Sequence, residues 1–224
     1  MEGRTEILFV EKLLLEIAGS HLIQIDSFEV RGGASCPRTV SLIRATKSAS
    51  GQKYYVLLYD CGGDEPVAQR IRDEHVNLTN LKYSKIIGIR DVRPQFAYAD
   101  IPNLEAALPR HLNAGLIPVE FILSVMEIEA WFLAEYNHFP KIDPSITVAA
   151  IQAALGFDPA NDDLSNRGNP TADIDACYRI GGKAYSKPAG RTVGALDYTF
   201  MYYELKNKIP YLRKLVDSID AFLI

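Results

Sequence analysis

The chain has 224 residues, of which 48% are hydrophobic and 23% are charged, and its formal net charge is −4 at pH 7. A chain of this length and composition can bury a full core, which excludes a disordered protein, and its acidic balance excludes one whose whole surface coats nucleic acid. A local basic strip remains compatible with phosphate binding. Three cysteines without paired spacing fit a reducing cytoplasm better than a secreted disulfide scaffold.

The apolar segments are typical of a protein core and not of a targeting signal or a membrane span. The first ten residues contain two glutamates and lack the basic start and long apolar stretch of a signal peptide. The longest apolar region, residues 116–136, is interrupted by Glu120, Glu127 and Glu129, each of which is unfavourable inside a bilayer. We therefore expect a cytoplasmic protein without a membrane-spanning helix.

Strand-like and helix-like segments alternate through the first 136 residues. Apolar or period-two runs predict strands, whereas apolar residues spaced by three and four predict helices. The predicted strands are 7–10, 23–30, 54–59, 84–90 and 117–125, and the predicted helices are 13–22, 39–49, 66–81, 104–113 and 126–136. Because strands joined by helical crossovers usually run parallel, we expect an α/β domain with a mostly parallel sheet of four or five strands flanked by helices.

From residue 137 onward the sequence predicts a helical extension. The prolines that separate its short helical pieces are Pro140, Pro144, Pro159 and Pro170. The final stretch, 192–224, carries apolar residues at spacings near three and four, which predicts amphipathic helices that pack on the sheet domain. The predicted organisation is an α/β domain at 1–136 and a helical C-terminal extension at 137–224, which also offers a surface for a protein partner.

Acidic residues follow three of the apolar runs, at the points where predicted strands end. Glu11 follows ILFV, Asp60 follows YYVLLY and Asp91 follows KIIGIR. Parallel strands place their carboxyl ends at one edge of a sheet, where carboxylates can converge on a hard cation such as Mg²⁺ or Mn²⁺. These three residues are therefore predicted metal ligands, and Asp64, four residues after Asp60, is a supplementary one. The alternative is that the acids only cap helix N-termini.

Charged residues near two of these segments are candidate catalytic groups. Arg90 and Arg93 flank Asp91, where two guanidiniums either form a structural ion pair or bind a phosphate. Glu129 lies directly before the apolar AWFLA, where a half-buried carboxylate needs a partner. We expect it to be an additional metal ligand or a base, with an arginine-paired structural role as the alternative. Glu127 is two residues away, and which of the two glutamates faces a site is left open.

A run of basic residues recurs every four positions near the C-terminal part of the chain. Tyrosines lie between them, and glycines and prolines disfavour a continuous helix. The pattern predicts a basic loop that reaches the phosphate backbone of DNA or RNA, with a solvated hinge as the alternative. The candidate phosphate-binding residues are Arg179, Lys183, Lys187 and Arg191. The sequence contains no P-loop, no GxGxxG fingerprint, no HExxH and no GxSxG elbow.

Three segments resemble a known family. They are FVE at 9–11, YDCGGDE at 59–65 and EIEAWFLAE at 127–135. On these segments the chain resembles the TOPRIM-like proteins of unknown function found in bacterial genomes, which are similar in layout to the TOPRIM domains of topoisomerases, primases and overcoming-lysogenization-defect nucleases. The resemblance covers residues 5–136 and implies a TOPRIM or Rossmann-like sheet.

The resemblance also implies chemistry on phosphodiesters. It places the family's glutamate on Glu11 and the first aspartate of its DxD motif on Asp60, as ligands of Mg²⁺. In this chain Lys12 stands where a glycine usually follows the glutamate, and Gly62 replaces the second aspartate of DxD. The preferred interpretation is a metal-dependent, nuclease-like protein. The alternatives are a noncatalytic interaction protein of a defence or mobile-element system, and a small phosphatase that uses the same metal site.

Overall fold

The structure of the chain, a computed structural model, describes residues 1–32, 36–46, 51, 53–92, 95–164 and 167–224, with the backbone alone for residues 64–65. The chain divides into two compact units. The first contains residues 1–7 and 20–124, and the second contains residues 8–19 and 125–224. The chain thus passes into the second unit after residue 124, whereas the predicted domain boundary lies after residue 136.

The first unit contains both strands and helices, and its first three strands follow one another directly. Its elements are the start of α1 (Arg4–Ala18), β1 (Ile23–Arg31), β2 (Thr39–Ala45), β3 (Tyr54–Asp60), α2 (Asp64–Asn80), β4 (Ile86–Asp91), α3 (Ile101–Ala107) and β5 (Val119–Ser124). Strands β1 and β2 are antiparallel, whereas β1 runs parallel to β3 and β4 runs parallel to β5. The mixed α/β class is confirmed. The described strands form a three-stranded sheet in the order β2-β1-β3 and a separate pair, β4-β5, instead of the predicted parallel sheet of four or five strands.

The segment 7–10, predicted as a strand, is helical and lies within α1. Its apolar residues Ile7 and Val10, together with Leu14, are buried at spacings of three and four, which is a helical stripe. The strand prediction was wrong because a short apolar run does not distinguish a buried strand from a buried helix. Glu11, expected at a strand end, is consequently a buried residue inside a helix.

The segment 39–49, predicted as a helix, instead begins with β2. This strand pairs with β1 in antiparallel register, with Val40 opposite Val30 and Leu42 opposite Phe28. All of its side chains except that of Ile43 are exposed. The β-branched residues and the ladder with β1 therefore determine the conformation here, and there is no buried helical face. Residues 47–49 of the predicted helix lie outside the described part of the chain.

Helix α2 packs against one face of β4. A Cβ at Gly88 would lie 2.6 Å from Cδ1 of Ile71 in α2 and 3.0 Å from Cδ1 of Phe121, so a larger residue here would require these side chains to shift. Val67 and Ile71 of α2 form a buried apolar cluster with Cys61, and Phe121 of β5 packs against it. Because side chains alternate along a strand, position 88 and position 90 of β4 face α2, whereas positions 89 and 91 face the opposite side.

The second unit is helical. Its elements are residues 8–18 of α1 together with α4 (Glu129–Ala134), α5 (Phe139–Ile142), α6 (Val148–Leu155), α7 (Pro170–Ile180), α8 (Gly190–Ala195), α9 (Tyr198–Tyr203) and α10 (Pro210–Phe222). The Phe9 ring centroid lies 6.1 Å from that of Trp131, 5.3 Å from that of Phe132 and 6.3 Å from that of Tyr198. All four side chains are buried, so these rings join α1 to α4 and α9. None of the helices in the described residues has the length and apolarity needed to cross a bilayer.

Candidate functional site

Three carboxylates come together where β4 ends and α1 begins. One oxygen each of Glu2, Glu6 and Asp91 lies within 4.8 Å of the other two. Glu6 and Asp91 are 5% and 7% exposed, and Glu2 is half-buried. Within the described part of the chain, no other three His, Cys, Asp or Glu side chains approach one another this closely. All three residues belong to the first unit.

The N-terminal segment that carries two of these carboxylates is held beside the end of β3. The Gly63 N–H, three residues after β3, donates to the Glu2 carbonyl at 2.8 Å. The Gly3 N–H donates to Oε2 of Glu6 at 3.0 Å, which turns that carboxylate back toward the start of α1. Glu2 lies two residues before α1 and Glu6 lies in its first turn, so the chain that enters the helix carries both carboxylates.

Asp91 is the last residue of β4 and is positioned by the ladder with β5. The ladder pairs Asp91 with Ser124, and the Val92 N–H donates to the Ser124 carbonyl at 2.8 Å. Paired residues of neighbouring strands point to the same side, so the Ser124 side chain lies beside that of Asp91. The Ser124 Oγ is fully buried and has no hydrogen-bond partner among the described residues. Such a hydroxyl is unfavourable by about 1–3 kcal/mol, which indicates a polar ligand nearby.

The donors of this site fit a hard divalent cation. Mg²⁺ and Mn²⁺ prefer oxygen ligands, and Mg²⁺ is usually held by one or two carboxylates together with water and substrate oxygens. Glu2, Glu6 and Asp91 supply carboxylate oxygens alone, in contrast to the nitrogen and sulfur donors of a structural zinc site. The Ser124 hydroxyl adds a neutral oxygen at the same side of the β4-β5 pair.

Asp60, the last residue of β3, has a different environment. Its side chain is 1% exposed, and its two oxygens accept from Nη1 and Nη2 of Arg31 at 3.0 and 3.2 Å. The Gly62 N–H donates to the same carboxylate at 2.9 Å. The hydrogen bond with Asp60 is the main reason that the pKa of Arg31 is raised. Both carboxylate oxygens are therefore satisfied within the protein, in a charge-assisted pair.

Among the predicted metal ligands whose side chains are described, Glu11 and Asp60 are not members of the Glu2, Glu6 and Asp91 group. Glu11 lies in the part of α1 that belongs to the second unit, and it is 4% exposed. Asp64 begins α2, but its side chain lies outside the described part of the chain, as does the whole of Arg93. Of the four predicted ligands, Asp91 is the one that the structure joins to two further carboxylates.

Arg90 precedes Asp91 in β4 and therefore points to the α2 side of the strand. Its side chain is almost fully buried. Nη2 donates to Oε1 of Gln95 at 2.9 Å, and the guanidinium carbon lies 5.1 Å from the centre of the Phe96 ring. The groups that Arg90 touches among the described residues are therefore an amide and an aromatic ring, and phosphate binding by its guanidinium stays a prediction.

In the second unit, Glu129 is fully buried in the first turn of α4. Its Oε1 accepts from the Tyr185 hydroxyl at 2.8 Å and forms an ion pair with Nζ of Lys187 at 2.9 Å. Glu127 instead accepts from the hydroxyl and the N–H of Thr171, near the start of α7, at 2.6 and 3.3 Å. The two glutamates therefore diverge, and the partner of Glu129 is a lysine instead of the arginine of the structural alternative.

The four predicted phosphate-binding residues each contact another part of the second unit. Three form ion pairs: Arg179 with Asp175 at 2.7 Å, Lys183 with Asp143 at 3.7 Å and Lys187 with Glu129 at 2.9 Å. Arg191 donates from Nη2 to the Ile142 carbonyl at 3.4 Å. These contacts compensate part of the positive charge, and binding of a nucleic-acid backbone by this loop stays a prediction.

Sequence reasoning missed Glu2, Glu6 and Ser124. The signal for the two glutamates was their spacing of four residues, but the segment that follows them was interpreted as a strand, so no helix start was expected there. Ser124 ends β5 in the same way that Asp91 ends β4, yet serine is common at strand ends and carries no metal signal alone. Its importance depends on the register of the β4-β5 ladder.

Comparisons of this chain with protein-family models, with curated proteins and with solved structures find no match. They therefore add no support to the TOPRIM resemblance or to any other family. What is inferred about function depends on the residues and contacts described above.

Proposed function

We propose that this chain is a Mg²⁺- or Mn²⁺-dependent protein of the TOPRIM type that acts on phosphodiester bonds, in the manner of a nuclease. The observation that carries the proposal is the group of Glu2, Glu6 and Asp91, whose oxygens lie within 4.8 Å of one another beside the buried Ser124 hydroxyl. Clustered carboxylates repel one another when ionised, and a bound cation relieves that repulsion.

The TOPRIM resemblance places the family's glutamate on Glu11, which belongs to the second unit. We propose Glu2 and Glu6 as ligands because their oxygens lie close to that of Asp91, and not because of the resemblance. Asp91 then supplies the aspartate at a strand end, and Asp60 has a structural role as the partner of Arg31.

The residues of the chain would have distinct tasks in this reaction. Glu2, Glu6 and Asp91 would hold the cation, which when bound supplies a Lewis acid for a phosphoryl oxygen. The Ser124 hydroxyl would accept or donate a hydrogen bond to a water or a phosphate oxygen at the same place. Glu129 belongs to the second unit, where Tyr185 and Lys187 contact its Oε1, and its role as a base or additional ligand stays a separate prediction. DNA or RNA is the proposed substrate, with Arg90 or Arg93 as the proposed phosphate contact. The basic loop of the second unit is proposed as a separate contact of the nucleic acid.

A second candidate function is favoured by the environment of Asp60. The resemblance identifies Asp60 as a metal ligand, but its carboxylate accepts hydrogen bonds from Arg31 and from the Gly62 N–H. Such internal pairing is expected in a noncatalytic interaction protein that keeps the α/β fold. In that case the helical second unit would bind a protein partner of a defence or mobile-element system. A small phosphatase is the third candidate and would act on mononucleotides but not on polymers.

The test is a titration of the purified chain with Mn²⁺ and Mg²⁺, followed calorimetrically, in the wild type and in Asp91→Asn and Glu6→Gln. Asp217→Asn is the matched control, because Asp217, which lies on α10, is 56% exposed and pairs with Lys206. We expect cation binding by the wild type and by Asp217→Asn, and at least about tenfold weaker binding by the two site variants, since each removes one charged ligand.

The same proteins are then incubated with single- and double-stranded DNA, with RNA and with a mononucleotide. Cleavage of a polymer that Asp91→Asn lacks supports the nuclease, and release of phosphate from the mononucleotide alone supports the phosphatase. Cation binding without either activity supports the interaction protein. Absence of cation binding in the wild type overturns the proposed metal site.

A further inference from the structure

Arg90 is a buried guanidinium without an acidic partner among the described residues. Its side chain is 7% exposed, and it takes part in none of the ion pairs within the described part of the chain. Its Nε is buried and has no acceptor there. The contacts it makes are with Oε1 of Gln95, at 2.9 Å from Nη2, and with the Phe96 ring.

This environment compensates the charge of Arg90 only in part. An arginine side chain stays protonated at all ordinary pH values, and a charge removed from water is unfavourable by several kcal/mol unless an opposite charge faces it. Arg31 in the same unit has that compensation, because the carboxylates of Asp60 and Glu29 face it at 3.0 Å. Among the described residues, Arg90 is faced by an amide oxygen and an aromatic ring instead of a carboxylate. The group that would compensate its charge is an anion.

We propose that Arg90 is the centre of a binding site for a phosphate oxyanion. The planar guanidinium presents Nε–H and Nη–H side by side, which matches two oxygens of one phosphate. The guanidinium carbon lies 5.1 Å from the centre of the Phe96 ring, which stabilises the cation but does not occupy its hydrogen-bond donors. Gln95 is exposed, so an anion that displaces its Oε1 reaches Nη2 directly from solvent.

The Arg90 site is separate from the carboxylate group of Glu2, Glu6 and Asp91. Arg90 and Asp91 are consecutive in β4, so their side chains leave the strand on opposite sides. Gly88, on the side of Arg90, contacts Ile71 of α2, whereas the Asp91 side carries Ser124. A phosphate at Arg90 therefore does not share a cation with Asp91, and its binding does not need a metal. The Arg90 site deepens the proposed function and rests on it for the class of substrate.

The test measures phosphate binding by calorimetry in the presence of EDTA, at constant ionic strength. Three probes distinguish the source of the oxyanion: inorganic phosphate, a mononucleotide and a single-stranded oligonucleotide. For the probes that the wild type binds, we expect Arg90→Gln to bind at least about tenfold more weakly, because a charge-assisted hydrogen-bonded pair is lost. Arg110→Gln, which changes an exposed arginine of the same unit, is the control and is expected to bind as the wild type does.

Two further variants keep the proposal testable if Arg90→Gln does not fold. Arg90→Lys retains the charge but not the planar fork, and weaker binding is expected. Gln95→Ala removes the competing oxygen, and tighter binding is expected. The proposal is overturned if the wild type binds none of the three probes in EDTA, or if all folded variants bind phosphate as the wild type does. Because EDTA removes metal ions, the phosphate-binding result does not depend on whether the proposed metal site binds a cation.

Discussion

Strands β3 and β4 both end on a buried aspartate, but the two ends differ in what surrounds the carboxylate. At the end of β3, Asp60 forms an ion pair with Arg31 of the neighbouring strand β1. In the β1-β3 ladder Asp60 lies opposite Glu29, which is two residues before Arg31. At the end of β4, Asp91 pairs with Ser124 and meets Glu2 and Glu6. A strand-end carboxylate with its own arginine stabilises the fold, whereas one grouped with other carboxylates can hold a cation.

The largest change in stability is expected when the arginine that pairs with Asp60 is removed. Arg31→Met leaves Asp60 buried without its counter-charge, and we expect a loss of about 3 kcal/mol, at the lower limit for a buried pair because Arg31 is 42% exposed. Urea unfolding at neutral pH measures it. Arg38→Met is the control, since Arg38 pairs with Asp73 and Glu74 at the surface, where about 0–1 kcal/mol is expected. Equal effects would show that Asp60 does not depend on Arg31.

The end of β4 should respond to a bound cation. With Mn²⁺ at one hundred times its dissociation constant, binding to the folded state alone stabilises the wild type by about 2.7 kcal/mol. In Asp91→Asn we expect this gain to disappear, because the variant removes one of the three proposed carboxylate ligands. Thermal unfolding with and without Mn²⁺ is the measurement. If Asp91→Asn keeps the full gain, Asp91 does not hold the cation.

Glu129 and Lys187 in the second unit provide an intermediate case. The carboxylate is fully buried, but the lysine is 48% exposed and the Tyr185 hydroxyl also donates to the same oxygen. We expect Lys187→Met to lower the free energy of unfolding by about 2 kcal/mol, because one charge-assisted contact to a buried acid is lost. Lys183→Met is the matched control at a more exposed pair with Asp143. If both variants unfold at the same urea concentration as the wild type, Glu129 is not held by Lys187.

The smallest effect on stability is expected at Asp175, which forms an ion pair with the exposed side chain of Arg179. The Tyr185 N–H, followed by Arg179, lowers the pKa of this carboxyl below its ordinary value of 3.8. A lowered pKa in the folded state stabilises the fold above the unfolded value, and the gain is lost as the pH falls through the folded value. Asp175→Asn should therefore be less stable than the wild type at pH 6, with a difference that shrinks as the pH falls below 3.8. Urea unfolding across this range measures it, and a pH-independent difference would contradict it.

Local sequence pattern was a good guide to most of the elements. The strands predicted at 23–30, 54–59, 84–90 and 117–125 are present as β1, β3, β4 and β5, because β-branched and aromatic runs bounded by turn residues determine them within a few residues of chain. The pattern failed at 7–10 and 39–49. There the conformation depends on what the segment packs against or pairs with, which a short run does not encode.

In the candidate site, too, some features follow from the local sequence and others from contacts between distant segments. The sequence alone determined that Asp60 and Asp91 end strands, since each follows an apolar run, and that Arg90 stands beside one of them. Only the tertiary structure decided that Arg31 reaches Asp60, that Glu2 and Glu6 reach Asp91, and that Ser124 lies next to it. The physical reason is that a strand end is specified by neighbours in the chain, whereas the partner of a carboxylate comes from a distant segment whose position is set by ladder register and helix packing.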